Sequence, residues 1–200
     1  MRRRVFDLLA SGFGLVLVTV LLAAGGFMMW GYTFASSNVH NQLAEQQIFF
    51  PPKAAFANPK PGTEITPSMI PSVSQYAGQQ VLNGPQAETY ANDFIAVHLS
   101  ELPLGGVYSK LSTASRADPT NKALAAATQA SFQGTTLRGL LLQAYSFWTI
   151  GQIAFWAGIG AFVLAFVMAV LVGLGFWHAR RIPAEAELLD AQGKQAIRAA

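Results

Sequence analysis

Residues 157–173 read AGIGAFVLAFVMAVLVG, and this stretch decides the fold. It carries a small residue at every fourth position: Ala157, Ala161, Ala165, Ala169 and Gly173. Residues four apart lie on one face of a helix, so these five are predicted to form a narrow ridge. In a lipid bilayer such a ridge lets a second helix approach closely. The run therefore predicts a membrane-spanning helix that packs against a partner helix.

Two apolar blocks dominate the composition. Only 12% of the 200 residues are charged, whereas soluble globular chains carry about 25%. The blocks cover residues 8–34 and 147–177, and neither contains a charged residue. Each exceeds the roughly 20 residues that cross a hydrocarbon core. We therefore predict an all-α membrane protein whose two transmembrane helices are joined by a mostly helical extracytoplasmic domain, residues 35–146.

The first block also occupies the position of a cleaved signal peptide, because it follows a basic N-terminus. The apolar region of a secretory signal usually has about 7–15 residues, and this block is much longer. Thr33-Phe34-Ala35 is a poor small-residue cleavage site. We expect the block to be retained as a signal anchor.

Charged flanks set the expected orientation. Three arginines precede the first block and two follow the second: Arg2, Arg3, Arg4, Arg180 and Arg181. Residues 36–146 carry six basic and six acidic residues, which cancel. The positive-inside rule then places residues 1–7 and the tail, residues 178–200, in the cytoplasm of a plasma-membrane protein. No basic stripe interleaved with aromatics is present, so nucleic acids are not expected partners. The two predicted spans make membrane lipids expected partners.

The intervening segment predicts short helices after a proline-rich strap. Residues 36–50 lack Gly and Pro and extend the first span as a polar stalk. Six of the ten prolines fall within residues 51–71, which predicts an irregular, extended strap. Beyond it the predicted helices are SVSQYAGQQVL (72–82), PQAETYANDFIAVHLSEL (85–102), VYSKLSTASRA (107–117) and PTNKALAAATQASF (119–132). Asp118 is the predicted N-cap of the fourth helix. Gly134 is predicted to interrupt the chain between this helix and the second span.

The predicted ridge has a possible counterpart in the first block. Gly12, Thr19, Ala23 and Gly26 fall roughly along one helix face. An intramolecular hairpin is one arrangement, and packing against a second copy or a foreign helix is the other. Patterns of small residues four apart are common in Ala- and Gly-rich spans, so both arrangements stay open.

No motif for catalysis is present. The sequence lacks a nucleophile elbow, a Walker loop and a dinucleotide-binding glycine pattern. It also lacks cysteine, which excludes disulfides and thiolate metal clusters. His40 and His98 lie in the exported segment, but their spacing does not force them together, so a metal-dependent enzyme is the weakest hypothesis. We expect no enzymatic activity and no cofactor.

Two function classes remain. The leading one is a non-enzymatic membrane protein that acts by binding other proteins, as an accessory subunit of a cell-envelope complex. The alternative is an exported small-ligand or lipid-binding sensor, in which Tyr90, Phe94 and Phe132 line a pocket.

Three stretches carry a resemblance to a known family: VHNQLAEQQIFFP, QYAGQQVLNGPQAETYANDFIAVHL, and TTLRGLLLQAYSFWTIGQIA through GFWHARR. From the first span to Arg181 the chain resembles two-pass membrane proteins of actinobacteria, a family of unassigned function whose members often carry an automatic label as aromatic ring-opening dioxygenases. The resemblance implies a Gram-positive plasma-membrane location and supplies no functional residues. Extradiol ring opening needs an iron site, typically two histidines and a carboxylate in a soluble fold. Because the sequence shows no such constellation, we do not expect that activity.

Overall fold

The structure, a computed structural model, describes residues 3–183, and every regular element in that range is helical. Two long helices dominate it: α1, Arg3–Gln46, and α6, Lys122–Arg181. The short α-helices between them are α2, Ile70–Val73, α3, Gly84–Thr89, α4, Ala96–Ser100, and α5, Tyr108–Ala117. The predicted all-α class is confirmed. Arg2 and most of the predicted tail, residues 184–200, lie outside the described residues.

The chain divides into two units. The hairpin unit contains the described residues 3–31 and 153–183, and the helical domain contains Tyr32–Gln152. Both α1 and α6 are long and apolar enough to cross a membrane, and only 17% of the most apolar window of each helix is buried. A core helix of a soluble protein would be mostly buried, whereas these helices expose their apolar side chains.

In the hairpin unit, the α1 and α6 segments run antiparallel and pack through glycines. A Cβ placed on Gly158 would lie 3.3 Å from the Gly25 carbonyl oxygen and 3.5 Å from the Met28 Cβ. A Cβ on Gly14 would lie 2.6 Å from a Val172 methyl group. A Cβ on Gly14 would overlap Val172, and a Cβ on Gly158 would be in close but tolerable contact with α1, so the helices pack within the chain here.

The packing face differs from the predicted ridge. Ala161 and Ala165 are buried, but Ala157, Ala169 and Gly173 are exposed. Apart from Ala161, the buried positions of α6 in this unit recur every seven residues, at Gly158, Ala165, Val172 and Ala179. Steps of four residues advance by about 400°, so a row of them winds around the helix, whereas steps of seven drift by only about 20°.

The α1 positions predicted to receive the ridge are not on the face that packs against α6, and their packing against a second copy or a foreign helix stays a prediction. A Cβ on Gly12 or Gly26 would meet nothing within 4 Å, and Thr19 and Ala23 are exposed. The contact face of α1 lies one residue away, where Ser11, Gly14, Val18 and Gly25 are buried. A shift of one residue turns a helix by about 100°, which is enough to miss the partner.

The helical domain has an ordinary apolar core. The stalk part of α1 contributes Val39 and Leu43, and α6 contributes Leu141. The strap lies on this core through Ile65 and Met69 and contains two short 3-10 turns, Lys53–Ala57 and Pro67–Met69. The other buried core members are Phe50, Val73, Val81, Ala87, Ala91 and Ile95.

Three local predictions for this domain need correction. The helix predicted over residues 72–82 stops at Tyr76, because Gly78 turns the chain at φ +74°. Residues 79–81 are extended instead, since Phe50 N–H donates to the Gln79 carbonyl at 2.8 Å. Gly134 does not interrupt α6, which continues through it. The N-cap of this helix is Asn121 and not Asp118, because the Asn121 Oδ1 accepts from Leu124 N–H at 3.1 Å.

Candidate binding surfaces of the helical domain

A π-helical turn divides the helix predicted over residues 85–102. α3 begins after Asn83, whose side chain accepts from Gln86 N–H as the N-cap. The chain then widens into one π-helical stretch, Tyr90–Ile95, before α4. Such stretches are rare and occur frequently at functional sites. No signal in the sequence marked this widening.

The π-helical stretch belongs to a continuous series of rings. In order the series is Tyr76, Phe50, Tyr90, Phe94 and His98, with ring centroids 5.1, 5.2, 4.8 and 4.6 Å apart. Phe50 is fully buried in the core, and His98 is partly exposed. The series therefore connects the core with the surface of the domain.

The outer end of the ring series forms one wall of a groove of about 390 Å³. We call it the aromatic groove; it is lined by Tyr90, Phe94, His98, Leu99, Ala130 and Leu137, among others. None of its lining residues is an acid, a lysine or an arginine. Tyr90 and Phe94 line it as predicted for a ligand pocket, whereas Phe132 lies elsewhere.

His98 and Tyr90 are the residues with polar side chains in the lining of this groove. Its Nδ1 lies 2.9 Å from the Phe94 carbonyl oxygen. A carbonyl oxygen only accepts, so Nδ1 carries the proton in this contact and, in the neutral ring, Nε2 is an acceptor. Among the described residues no hydrogen bond engages that second nitrogen.

The surroundings of the Tyr90 phenol shift its pKa. Burial raises the pKa of its phenol above the ordinary value, and the negative charge of Glu64 raises it further. Both effects disfavour the phenolate. The Tyr90 hydroxyl therefore stays protonated at physiological pH and remains a hydrogen-bond donor.

A second feature of the domain is an exposed apolar patch. Leu104, Val107, Tyr108 and Phe132 are each at least 43% exposed, and the Tyr108 and Phe132 rings lie 5.7 Å apart. We call these four residues the apolar patch. Leu104 adopts a left-handed conformation at φ 56°, followed by Gly105 and Gly106 with positive φ. Non-glycine residues rarely adopt that conformation, so the turn holds Leu104 outward at a cost in backbone energy.

The turn that carries Leu104 is fixed to α6. The buried Ser131 hydroxyl donates to the Gly106 carbonyl oxygen at 2.6 Å. Gly106 also lies against Leu99, where a Cβ would collide with the Leu99 carbonyl oxygen. The patch is thus held on a rigid support, and neither its hydrophobic cluster nor the strained leucine was predicted from the sequence.

The remaining predicted site residues do not converge. His40 lines a shallow cleft with Tyr32 and Trp148, separate from the aromatic groove that contains His98. Within residues 3–183, no group of three His, Asp or Glu side chains is placed to hold a metal ion. Arg3, Arg4, Arg180 and Arg181 are exposed, and the Arg181 guanidinium lies 4.0 Å from the centre of the Trp177 ring.

A further cavity of about 470 Å³ lies between the stalk of α1 and α6 within the helical domain. Its walls combine Phe34 and Phe147 with the amides of Asn38, Gln42, Gln46 and Gln143.

Comparisons of the chain with protein-family models, with curated proteins and with solved structures found no match.

Proposed function

We propose that this chain is a two-pass plasma-membrane protein that acts without enzymatic chemistry, by binding another protein through its exported helical domain. In this proposal both termini are cytoplasmic and the chain is an accessory subunit of a cell-envelope complex. The observation that carries the binding role is the apolar patch.

The membrane part of the proposal is supported by exposure and charge. Large apolar side chains cover the outer surface of the hairpin unit, for example Phe13, Phe27, Trp156 and Phe166, and a bilayer is the environment that accepts such a surface. Exposed arginines stand near the N-terminal end of α1 and at the C-terminal end of α6. The positive-inside rule assigns both of these ends to the cytoplasm.

The binding part is supported by the composition of the apolar patch. Scattered exposed apolar residues are normal on a protein surface, but a cluster with two aromatic rings indicates an interaction site. Tyrosine is enriched among residues that dominate binding energies. About 20 Å of helix separates Phe132 from Tyr145, which lies two residues before the apolar block 147–177. A protein partner therefore suits the patch better than the lipid surface.

Cysteine labelling in intact cells tests the topology, because the chain has no cysteine of its own. Thr120→Cys lies in an exposed turn of the helical domain, and Pro183→Cys lies just after α6. We expect a membrane-impermeant maleimide to label the first variant in intact cells and the second only after permeabilisation. Labelling of Pro183→Cys in intact cells would contradict the proposed orientation.

Gentle extraction of the tagged chain from its native cells, followed by mass spectrometry, tests the partner. The comparison uses Leu104→Ala/Phe132→Ala against Lys110→Ala/Gln133→Ala, whose residues are exposed neighbours of the patch. We expect a stoichiometric partner with the wild type and with the control, reduced at least tenfold in the patch variant. Equal recovery from both variants, or a chain recovered alone, would reject the proposal.

A second candidate function is an exported ligand-binding module. The aromatic groove favours it, because a concave, largely apolar site with one or two polar atoms is the usual form of a small-molecule site.

A further inference from the structure

We infer that the aromatic groove binds a neutral small molecule that has a flat ring system and one hydroxyl or N–H donor. This inference does not depend on the partner-binding role proposed above. It assigns a ligand class to the site from the shape, charge and hydrogen-bonding capacity of the groove.

The size of the groove matches such a molecule. Its volume of about 390 Å³ falls in the lower part of the range of about 300–1,000 Å³ that is typical of small-ligand sites. Leu99 restricts it at one place, because the Leu99 side chain lies 2.7 Å from the position of a Cβ on Gly134. Ala130 and Gly134, one helical turn apart on α6, keep the opposite wall low.

The walls favour rings over alkyl chains. Tyr90, Phe94 and His98 place three consecutive rings along one side of the groove. A flat aromatic ligand gains from offset and edge-to-face contacts with such rings in addition to the burial of its surface. An alkyl chain gains only from burial.

The charge of the lining favours a neutral molecule. The lining contains no acid, lysine or arginine, so an ionic ligand would lose hydration without gaining any of these side chains as an oppositely charged partner. The donor requirement follows from His98. With Nδ1–H donated to the Phe94 carbonyl, the neutral imidazole offers Nε2 as an acceptor for a ligand hydroxyl or N–H.

The experiment uses the full chain in phosphatidylcholine nanodiscs and a phenol that carries a photoreactive diazirine as the probe. After irradiation, labelled peptides are identified by mass spectrometry. We expect labelling within residues 90–102 and 130–137. Ala130→Trp fills the groove and should reduce that labelling at least tenfold, whereas Gln129→Trp, the neighbouring exposed position on α6, should not. Labelling that is unchanged in Ala130→Trp, or confined to the hairpin unit, would overturn the inference.

Competition distinguishes the ligand class. 2-Naphthol should compete about threefold to tenfold better than 2-methoxynaphthalene, which is the expected effect of one hydrogen bond. His98→Phe retains an aromatic ring and should abolish that preference. Equal competition by the two naphthalenes in the wild type would exclude the donor requirement. Equal competition by 1-decanol would exclude the preference for rings and assign the groove to a lipid chain.

Discussion

The hairpin unit and the helical domain use the same two long helices in opposite ways. In the hairpin unit the buried positions are glycine, alanine, serine or valine, such as Gly25 and Gly158, and most of the larger apolar side chains are exposed. In the helical domain α1 and α6 bury large side chains, such as Leu43 and Leu141, in a common core. In water the burial of large apolar groups is favourable. In the bilayer proposed for the hairpin unit such burial gains little, so the close approach of helix backbones is the expected source of stability.

The largest effect should come from the core of the helical domain. Phe50 is 2% exposed and its neighbour Phe49 is 55% exposed, so the two phenylalanines form a matched pair. Phe50→Ala should lower the free energy of unfolding by about 3–5 kcal/mol, as large-to-small substitutions in cores do. Phe49→Ala should cost less than about 1 kcal/mol.

Chemical unfolding of the detergent-solubilised chain, followed by tyrosine and tryptophan fluorescence, measures this difference. Similar losses for the two variants would show that Phe50 is not part of a packed core, and would remove the contrast between the two units.

A smaller effect is expected at the turn beneath the apolar patch. Gly106→Ala introduces a Cβ against the Leu99 carbonyl at φ +67°. Strain in the left-handed region together with overpacking should cost about 2–4 kcal/mol. Gly105→Ala has nearly the same φ, +66°, but meets nothing within 4 Å, and should cost about 1–2 kcal/mol. Thermal unfolding of both variants separates the collision from the strain, and equal losses would contradict the close approach to Leu99.

The hairpin unit can be tested directly with a disulfide. Met28→Cys/Gly158→Cys should oxidise readily in the membrane, because the two Cβ positions lie 3.5 Å apart, close to the separation in disulfides. Gly26→Cys/Gly158→Cys is the control, since Gly26 is exposed. Mobility on denaturing gels reports the bond. Equal cross-linking of both pairs would mean that the α1 face is assigned wrongly.

The same bond tests the face of α6. Ala161→Leu/Ala165→Leu adds bulk at buried positions and should lower the cross-linking rate of the Met28–Gly158 cysteine pair about tenfold, as overpacking does. Ala157→Leu/Ala169→Leu adds the same bulk to exposed members of the predicted ridge and should leave the rate unchanged. A loss with the second pair and not the first would restore the ridge as it was predicted.

The sequence predicts the presence of the two long helices well, but it predicts poorly which face of each helix packs against the other. Uncharged blocks of this length permit few structures other than long helices, so α1 and α6 were expected. Each residue turns the helix by about 100°, so a shift of one residue selects a different packing face. Several sets of small residues in each span could form such a face. Gly25 and Gly158 were no more distinctive in the sequence than Gly26 and Gly160.

The candidate sites illustrate the same limit. Tyr90 and Phe94, two of the three residues predicted to line a pocket, are four residues apart in one predicted helix, which is a local property. Leu99 joins them in the groove through its contact with Gly134 on α6. Phe132 belongs to the patch because Ser131 fixes the turn at Gly106. These are contacts between segments distant in sequence, and no local pattern encodes them.

The smallest predicted effect concerns Tyr90, which should make the stability of the helical domain depend on pH in the alkaline range. Burial, with a contribution from Glu64, raises the pKa of Tyr90 above 10.0 in the folded chain, whereas in the unfolded chain a tyrosine titrates near 10. The folded state therefore holds the proton more tightly, and this contribution to stability is complete below about pH 10 and is lost as the pH rises through the folded pKa.

Tyr90→Phe removes the titration, so the melting temperature of the domain should fall less between pH 9 and pH 11 in this variant than in the wild type. Exposed Tyr108→Phe serves as the control and should follow the wild type. A wild-type alkaline loss that Tyr90→Phe leaves unchanged would show that the phenol is as hydrated in the folded chain as in the unfolded one, and the ring series would then not reach the core as described.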